Sequence, residues 1–87
     1  MKVVFKPSFF RDVKKTPAAL HAEIEETITK LEKAQALKDL SNLKKLKGHQ
    51  TAYRIKLNNY RLCFYYEGNT VTLVRFLPRK DVYRFFP

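Results

Sequence analysis

Tyr53-Arg54-Ile55-Lys56-Leu57-Asn58-Asn59-Tyr60-Arg61-Leu62-Cys63-Phe64 is the stretch on which the fold turns. Apolar and polar residues alternate on each side of Asn58-Asn59, the pattern of a β-hairpin with a two-residue turn. Asparagine tolerates the left-handed backbone that such a turn requires. A loop of this length pairs Leu57 with Tyr60, Lys56 with Arg61, Ile55 with Leu62 and Arg54 with Cys63. Ile55, Leu57, Leu62 and Phe64 then share one face, and Arg54, Lys56 and Arg61 share the other. Like charges directly opposite in a sheet destabilise it by ~0.2–1 kcal/mol per pair. Three cations with no acid among them describe half of an anion site, and a phosphate is the expected anion.

The hairpin lies in the electropositive half of the chain. Residues 44–87 hold ten Lys and Arg against only Glu67 and Asp81, whereas residues 1–43 are nearly balanced. The net charge of +10 over 87 residues implies a polyanionic partner such as nucleic acid, an acidic protein segment or an anionic surface. The chain is long enough for one domain, which would bury somewhat over ~60% of its unfolded surface. Its lone cysteine, Cys63, excludes an internal disulfide framework and suits a reducing cytoplasm. Met1 leads directly into a strand-like run, without the pattern of a signal peptide, and no apolar run approaches a membrane span. A soluble cytoplasmic protein with no membrane partner is expected.

Upstream of the hairpin, Lys2-Val3-Val4-Phe5-Lys6 reads as a first strand closed by Pro7. Ser8 is a candidate cap for a short helix over Phe9–Lys15. Thr16-Pro17 reads as a second start, with Thr16 at the N-cap and Pro17 at the first helical position. Leu20, Ile24, Ile28 and Leu31 then make one apolar stripe. Its glutamates lie early and Lys30 and Lys33 late, an order that suits the helix dipole. Leu37, Leu40, Leu43 and Leu46 recur every third residue, which predicts a helical turn or a packed connection, ended by Gly48.

Downstream, Gly68-Asn69 predicts a second tight turn, between Leu62–Glu67 and Thr70–Leu77. Its register puts Val71 and Leu73 on the core face and Thr70 and Thr72 on the cationic face. On that count Arg75 falls on the core face, so either its side chain snorkels to the edge or a bulge shifts the register. Pro78 ends the strand, and Asp81–Phe86 is expected to form a short helical turn in which Phe85 and Phe86 close the core. The order β-α-α-β-β-β describes an α+β domain: a small, twisted, mainly antiparallel sheet with two N-terminal helices on one face. The other face, bearing Arg54, Lys56 and Arg61, is expected to be partly open to solvent.

The chain has no Gly-rich phosphate loop, HExxH, CxxC or nucleophile elbow, and its two histidines, one cysteine and scattered acids make no metal-ligand set. No cofactor is expected. His21 reads as a helix-surface residue, and His49 as a loop residue near the cationic strand. Cys63 reads as a space-filler opposite Arg54. A solvated, aggregation-resistant edge would also be rich in Lys and Arg, but it would intersperse acids, which this face lacks. Tyr83, between Lys80 and Arg84, is the remaining candidate: a tyrosine beside cations can stack on a base or take a proton.

Taken together, Lys45-Leu46-Lys47-Gly48, Tyr53-Arg54-Ile55-Lys56-Leu57, Asn59-Tyr60-Arg61-Leu62 and Arg79-Lys80-Asp81-Val82-Tyr83 resemble the RelE family of type II toxin–antitoxin toxins. The resemblance covers nearly the whole chain and makes residues 1–87 one RelE-like toxin domain. It implies a metal-independent, ribosome-dependent endoribonuclease, an mRNA interferase that cuts mRNA in the ribosomal A site and inhibits translation. Attack of a ribose 2′-OH on the adjacent phosphate would leave a 2′,3′-cyclic phosphate. By that resemblance Arg61 clamps the scissile phosphate, Lys56 adds transition-state charge, Arg79 serves the leaving oxygen and Tyr83 is the base. Arg54, Lys45, Lys47 and Lys80 would bind RNA. Arg54 stands where better-known members carry Lys, and Pro78 where relatives often carry His.

The implied partners are a cognate acidic, RelB-like antitoxin in a hetero-oligomer, the ribosome and mRNA. The same superfamily holds ParE-type toxins, which target DNA gyrase and lack the nuclease set. Retention of Arg54, Lys56, Arg61, Arg79 and Tyr83 favours the RelE-like branch. A catalytically inactive antitoxin- or RNA-binding module is the third reading.

Overall fold

The hairpin forms with the register its alternation dictates. In the computed structural model, which describes all 87 residues, strands β3 (Ala52–Leu57) and β4 (Tyr60–Glu67) pair Leu57 with Tyr60, Lys56 with Arg61 and Arg54 with Cys63. Asn58 takes a positive φ of 55° at the turn. Gly68 and Asn69, at φ 57° and 59°, turn β4 into β5 (Thr70–Pro78), with both central residues left-handed as a type I′ turn requires.

Two further strands complete the sheet. β1 (Lys2–Phe5) runs parallel to β5, and β2 (Leu43–Lys45) pairs antiparallel with β3, giving the order β1-β5-β4-β3-β2. The chain is therefore α+β, with a five-stranded, mostly antiparallel open sheet and three helices. β2 replaces part of the helical or packed connection expected over the leucine run. Only Leu37–Asp39 makes a helical turn, of the 3₁₀ kind, and Asn42, at φ 60°, redirects the chain into the edge strand.

Helices α1 (Pro7–Lys14) and α2 (His21–Lys33) cover one face. Phe9 from α1 and Ile24 and Leu31 from α2 are buried against Ile55, Leu57, Leu62, Phe64, Val71, Leu73 and Phe76. Each such side chain taken from water contributes about 1.5–3 kcal/mol, so this layer holds the fold together. No helix is long and apolar enough to cross a membrane.

The helix starts differ from the expectation. Pro7 opens α1, and the Ser8 hydroxyl donates to the Val74 carbonyl rather than capping the helix. Thr16 does not cap α2 either. Its hydroxyl donates back to the Val13 carbonyl at 2.7 Å, and a 3₁₀ turn over Ala18–Leu20 intervenes before His21. Local side-chain bonds to the preceding helix have won over capping the next one.

The Ser8 bond belongs to a larger device. β1 covers the edge of β5 only as far as Leu73. Beyond it, α1 takes over: Ser8 donates to Val74, and the Asp12 carboxylate accepts the backbone N–H of Phe76 at 2.9 Å. A helix thus satisfies a strand edge that would otherwise be open to another chain. Opposite this segment β4 and β5 slip between Cys63 and Phe64, so that Phe64 faces Leu73 while Cys63 faces Arg75. The bulge resolves the placement of Arg75, which leaves the core face and pairs with Asp12.

The second sheet face is less open than expected. Leu46, Ala52, Cys63, Leu77, Val82 and Phe86 make a smaller apolar cluster there, closed by the short helix α3 (Val82–Phe85) and the residue after it. Val82 and Phe86, four apart, lie on one helical side and face the sheet. Phe86 is buried as anticipated, but Phe85 is 49% exposed and does not close the core.

Candidate functional site

The cluster around Val82 and Phe86 leaves the turn end of the cationic face uncovered. A cleft of about 290 Å³ lies there, lined by Asn42, Leu43, Lys44, Arg54, Lys56, Arg61 and Arg79. Five cations and no carboxylate surround it. The ion pairs of the chain, Glu26–Lys30 and Asp12–Arg75, lie elsewhere, so none of the five is neutralised by an acid. Four of them stand in two like-charge cross-strand pairs, Lys56 opposite Arg61 and Lys44 opposite Arg54. An arrangement that lowers stability in the free chain gains its offset when an anion enters.

Arg61 is the most constrained member. It is only 8% exposed, and its Nη1 donates to the carbonyls of Asn58 at 3.0 Å and Tyr60 at 2.9 Å. The turn therefore fixes the guanidinium and leaves Nε and Nη2 for a ligand in the cleft. Burial, then the neighbouring Arg54 and Arg79 cations, lower its pKa from the ordinary arginine value. Such a group remains a cation, but one whose charge is disfavoured until an anion arrives.

Arg79 comes from far along the sequence and is placed by the same turn. Its backbone N–H donates to the Asn59 carbonyl at 2.8 Å, where β5 ends at Pro78. Asn58 is in turn tied to α2, its amide donating to the Glu23 carboxylate at 3.1 and 3.3 Å. Arg79 also lines a more open groove with Asn59, Pro78, Lys80 and Tyr83. The Tyr83 ring is 71% exposed, and the Arg54 guanidinium lies over it at 5.4 Å from the centroid. A phosphate in the cleft and a base against Tyr83 would thus be neighbours across Arg79.

Of the candidates read from the sequence, Arg54, Lys56, Arg61 and Arg79 meet in the cleft, with Lys80 and Tyr83 on its flank. Lys45 and Lys47 do not join them. They line a separate shallow groove with Leu46, Gly48, His49 and Gln50. Lys44 takes their place in the cleft, because β2 alternates and Lys44 is the residue opposite Arg54. Asn42 and Asn59 were also missed as contributors; strand alternation applied to Leu43-Lys44-Lys45 would have found Lys44. Cys63, fully buried beneath the cations, is a packed thiol whose pKa burial pushes up to about 12.

The chain is 36% identical over 88 residues to a protein of Methanocaldococcus jannaschii named Toxin RelE3, with all of both chains aligned. Among solved structures it is similar to the RelB–RelE antitoxin–toxin complex of Methanococcus jannaschii, with TM-score 0.82 and 31% identity, covering 97% of this chain and 99% of that one. The archaeal RelE–RelB complex of Pyrococcus horikoshii matches in fold with TM-score 0.71 at 20% identity, covering 90% and 93%. No protein-family model matches the chain.

Proposed function

The chain belongs to the RelE family of toxin–antitoxin toxins, and from that premise we propose that it is an endoribonuclease cutting mRNA in the ribosomal A site. It is a toxin of a RelBE-type toxin–antitoxin system. The observation that supports the nuclease reading is the cleft itself: five unpaired cations, one of them buried, beside an exposed tyrosine.

The chemistry follows from those parts. The 2′-oxygen of a ribose attacks the adjacent phosphorus while the bond from phosphorus to the 5′-oxygen of the next nucleotide breaks. The transition state carries two negative charges on the phosphoryl oxygens. Preorganised cations held in partly desolvated positions stabilise such charge most effectively, and Arg61, fixed by two carbonyls, is the foremost of them. Lys56, opposite Arg61, adds a second charge. Tyr83 takes the 2′-OH proton, and the departing 5′-oxygen, its developing charge stabilised by Arg79, takes a proton from solvent and leaves as a 5′-OH. Arg54, Lys44 and Lys80 hold the flanking RNA. The reaction so drawn needs no metal.

The whole of residues 1–87 acts as one toxin domain in this reading. Its partners are mRNA, the ribosome and an acidic antitoxin that shields the basic cleft in a hetero-oligomer. The net charge of +10 supports that complementarity. Expression of the chain without antitoxin, followed by primer extension on cellular mRNA, tests the proposal. Cuts within translated frames that vanish in Arg61→Ala are expected. Intact mRNA together with loss of gyrase supercoiling activity would overturn it in favour of a gyrase inhibitor.

A further inference from the structure

We propose that Asp12, Arg75 and Phe85 form a positioning relay that fixes α3, and through it Tyr83, beside the cationic cleft. The proposal rests on the reading of Tyr83 as part of the site. A helix of four residues cannot hold itself, because its first turn costs more order than one hydrogen bond returns. Val82 and Phe86 anchor one side of α3 to the sheet. The other two sides carry Tyr83 and Phe85, which are two residues apart and so point away from one another.

Each of those rings lies against an arginine from the sheet. Arg54 of β3 stands over Tyr83 at 5.4 Å, and Arg75 of β5 stands over Phe85 at 5.7 Å, with Arg84 at 5.3 Å from the same Phe85 ring. The two contacts grip α3 from both flanks. Arg75 is not free to wander: its Nε donates to Asp12 Oδ2 at 2.7 Å and its Nη2 to Oδ1 at 3.1 Å. Asp12 is buried and accepts the Phe76 N–H as well. The line of support therefore runs from α1, across the bulged edge of β5, to the outer side of the segment that carries Tyr83. Phe85 is half exposed and absent from both apolar clusters, so filling a core does not account for its place.

Phe85→Ala tests the relay without disturbing the buried pair. Small displacements of a reacting group cost up to about 10²-fold in rate, so a fall of about 10-fold in kcat for ribosome-bound mRNA, with KM unchanged, is expected. Phe85→Tyr, which keeps the ring, restores the rate. Amide exchange of residues 82–86 quickens in Phe85→Ala and in Arg75→Leu while the β3–β4 hairpin keeps its protection. Wild-type kcat and wild-type exchange in Phe85→Ala would overturn the relay, as would an equal loss of rate in Phe85→Ala and Phe85→Tyr. Exchange reads the relay independently of catalysis: message left whole by the wild-type protein would overturn the nuclease assignment, and a fully active Tyr83→Phe variant the base role of Tyr83, while the exchange result for residues 82–86 stands or falls by itself.

Discussion

The backbone N–H of Arg79 donates to the carbonyl of Asn59 at 2.8 Å. The preceding residue, Asn58, accepts the Arg61 guanidinium at 3.0 Å. One two-residue turn therefore aims two cations that are distant in sequence into the same cleft, and the turn's geometry becomes a determinant of the site.

Asn58 sits at φ 55°, where a non-glycine residue costs about 1–2 kcal/mol and asparagine is among the better tolerated. Asn58→Val should lower the unfolding free energy by about 1–2 kcal/mol. Asn58→Gly should be closer to neutral and lose mainly the Glu23 contact. Urea unfolding of the three proteins compares them directly, and RNA cleavage should fall more in the Val variant than its stability alone explains.

The unneutralised cleft should bind simple divalent anions. Ligand present at ten times its dissociation constant stabilises the folded state by about 1.4 kcal/mol. In a chain of 87 residues that corresponds to a Tm rise of several degrees. Sulfate or inorganic phosphate should raise Tm beyond sodium chloride of equal ionic strength. Arg61→Gln should abolish the difference, Lys44→Ala should weaken it, and Lys45→Ala, in its separate groove, should leave it unchanged.

The two ion pairs of the chain should differ in what they contribute. Asp12→Ala leaves the partly buried Arg75 and the Phe76 N–H without their acceptor and should cost about 2–3 kcal/mol. Glu26→Ala breaks an exposed helical pair with Lys30 and should cost under about 0.5 kcal/mol. Thermal or urea denaturation resolves a contrast of this size.

Cys63 should stay protonated and unreactive in the native protein, since burial raises its pKa from 9.0 to about 12. Between those values the unfolded chain releases a proton that the folded chain retains. This group's contribution to stability is therefore intact below pH 9 and declines as pH rises towards about 12. Alkylation at pH 8 should proceed only on unfolding; rapid labelling of the folded protein would contradict the buried placement.

The hairpin and its cations were legible because strand alternation and a two-residue asparagine turn leave one register, and Ile55, Leu57, Leu62 and Phe64 demand a single buried face. The same logic placed Val71 and Leu73 correctly. It failed where pairing, not propensity, makes the element. β2 is three residues within a leucine run of period three, and it is a strand only because β3 lies beside it. Lys44 was missed with it. The position of Arg75 depends on a bulge and on Asp12, a partner from another element that no local pattern reveals. Phe85 was misplaced for the related reason that its ring packs on arginines rather than on apolar side chains.

The most direct test is to add the purified chain to ribosomes programmed with a defined mRNA and to determine the chemistry of the ends produced. One break in the A-site codon is expected, with a 2′,3′-cyclic phosphate upstream and a 5′-OH downstream. Replacing Arg61 by Ala should slow that break by about 10²–10³-fold. Message that remains whole at saturating wild-type protein, or a break that proceeds at the same rate in Arg61→Ala, would contradict it.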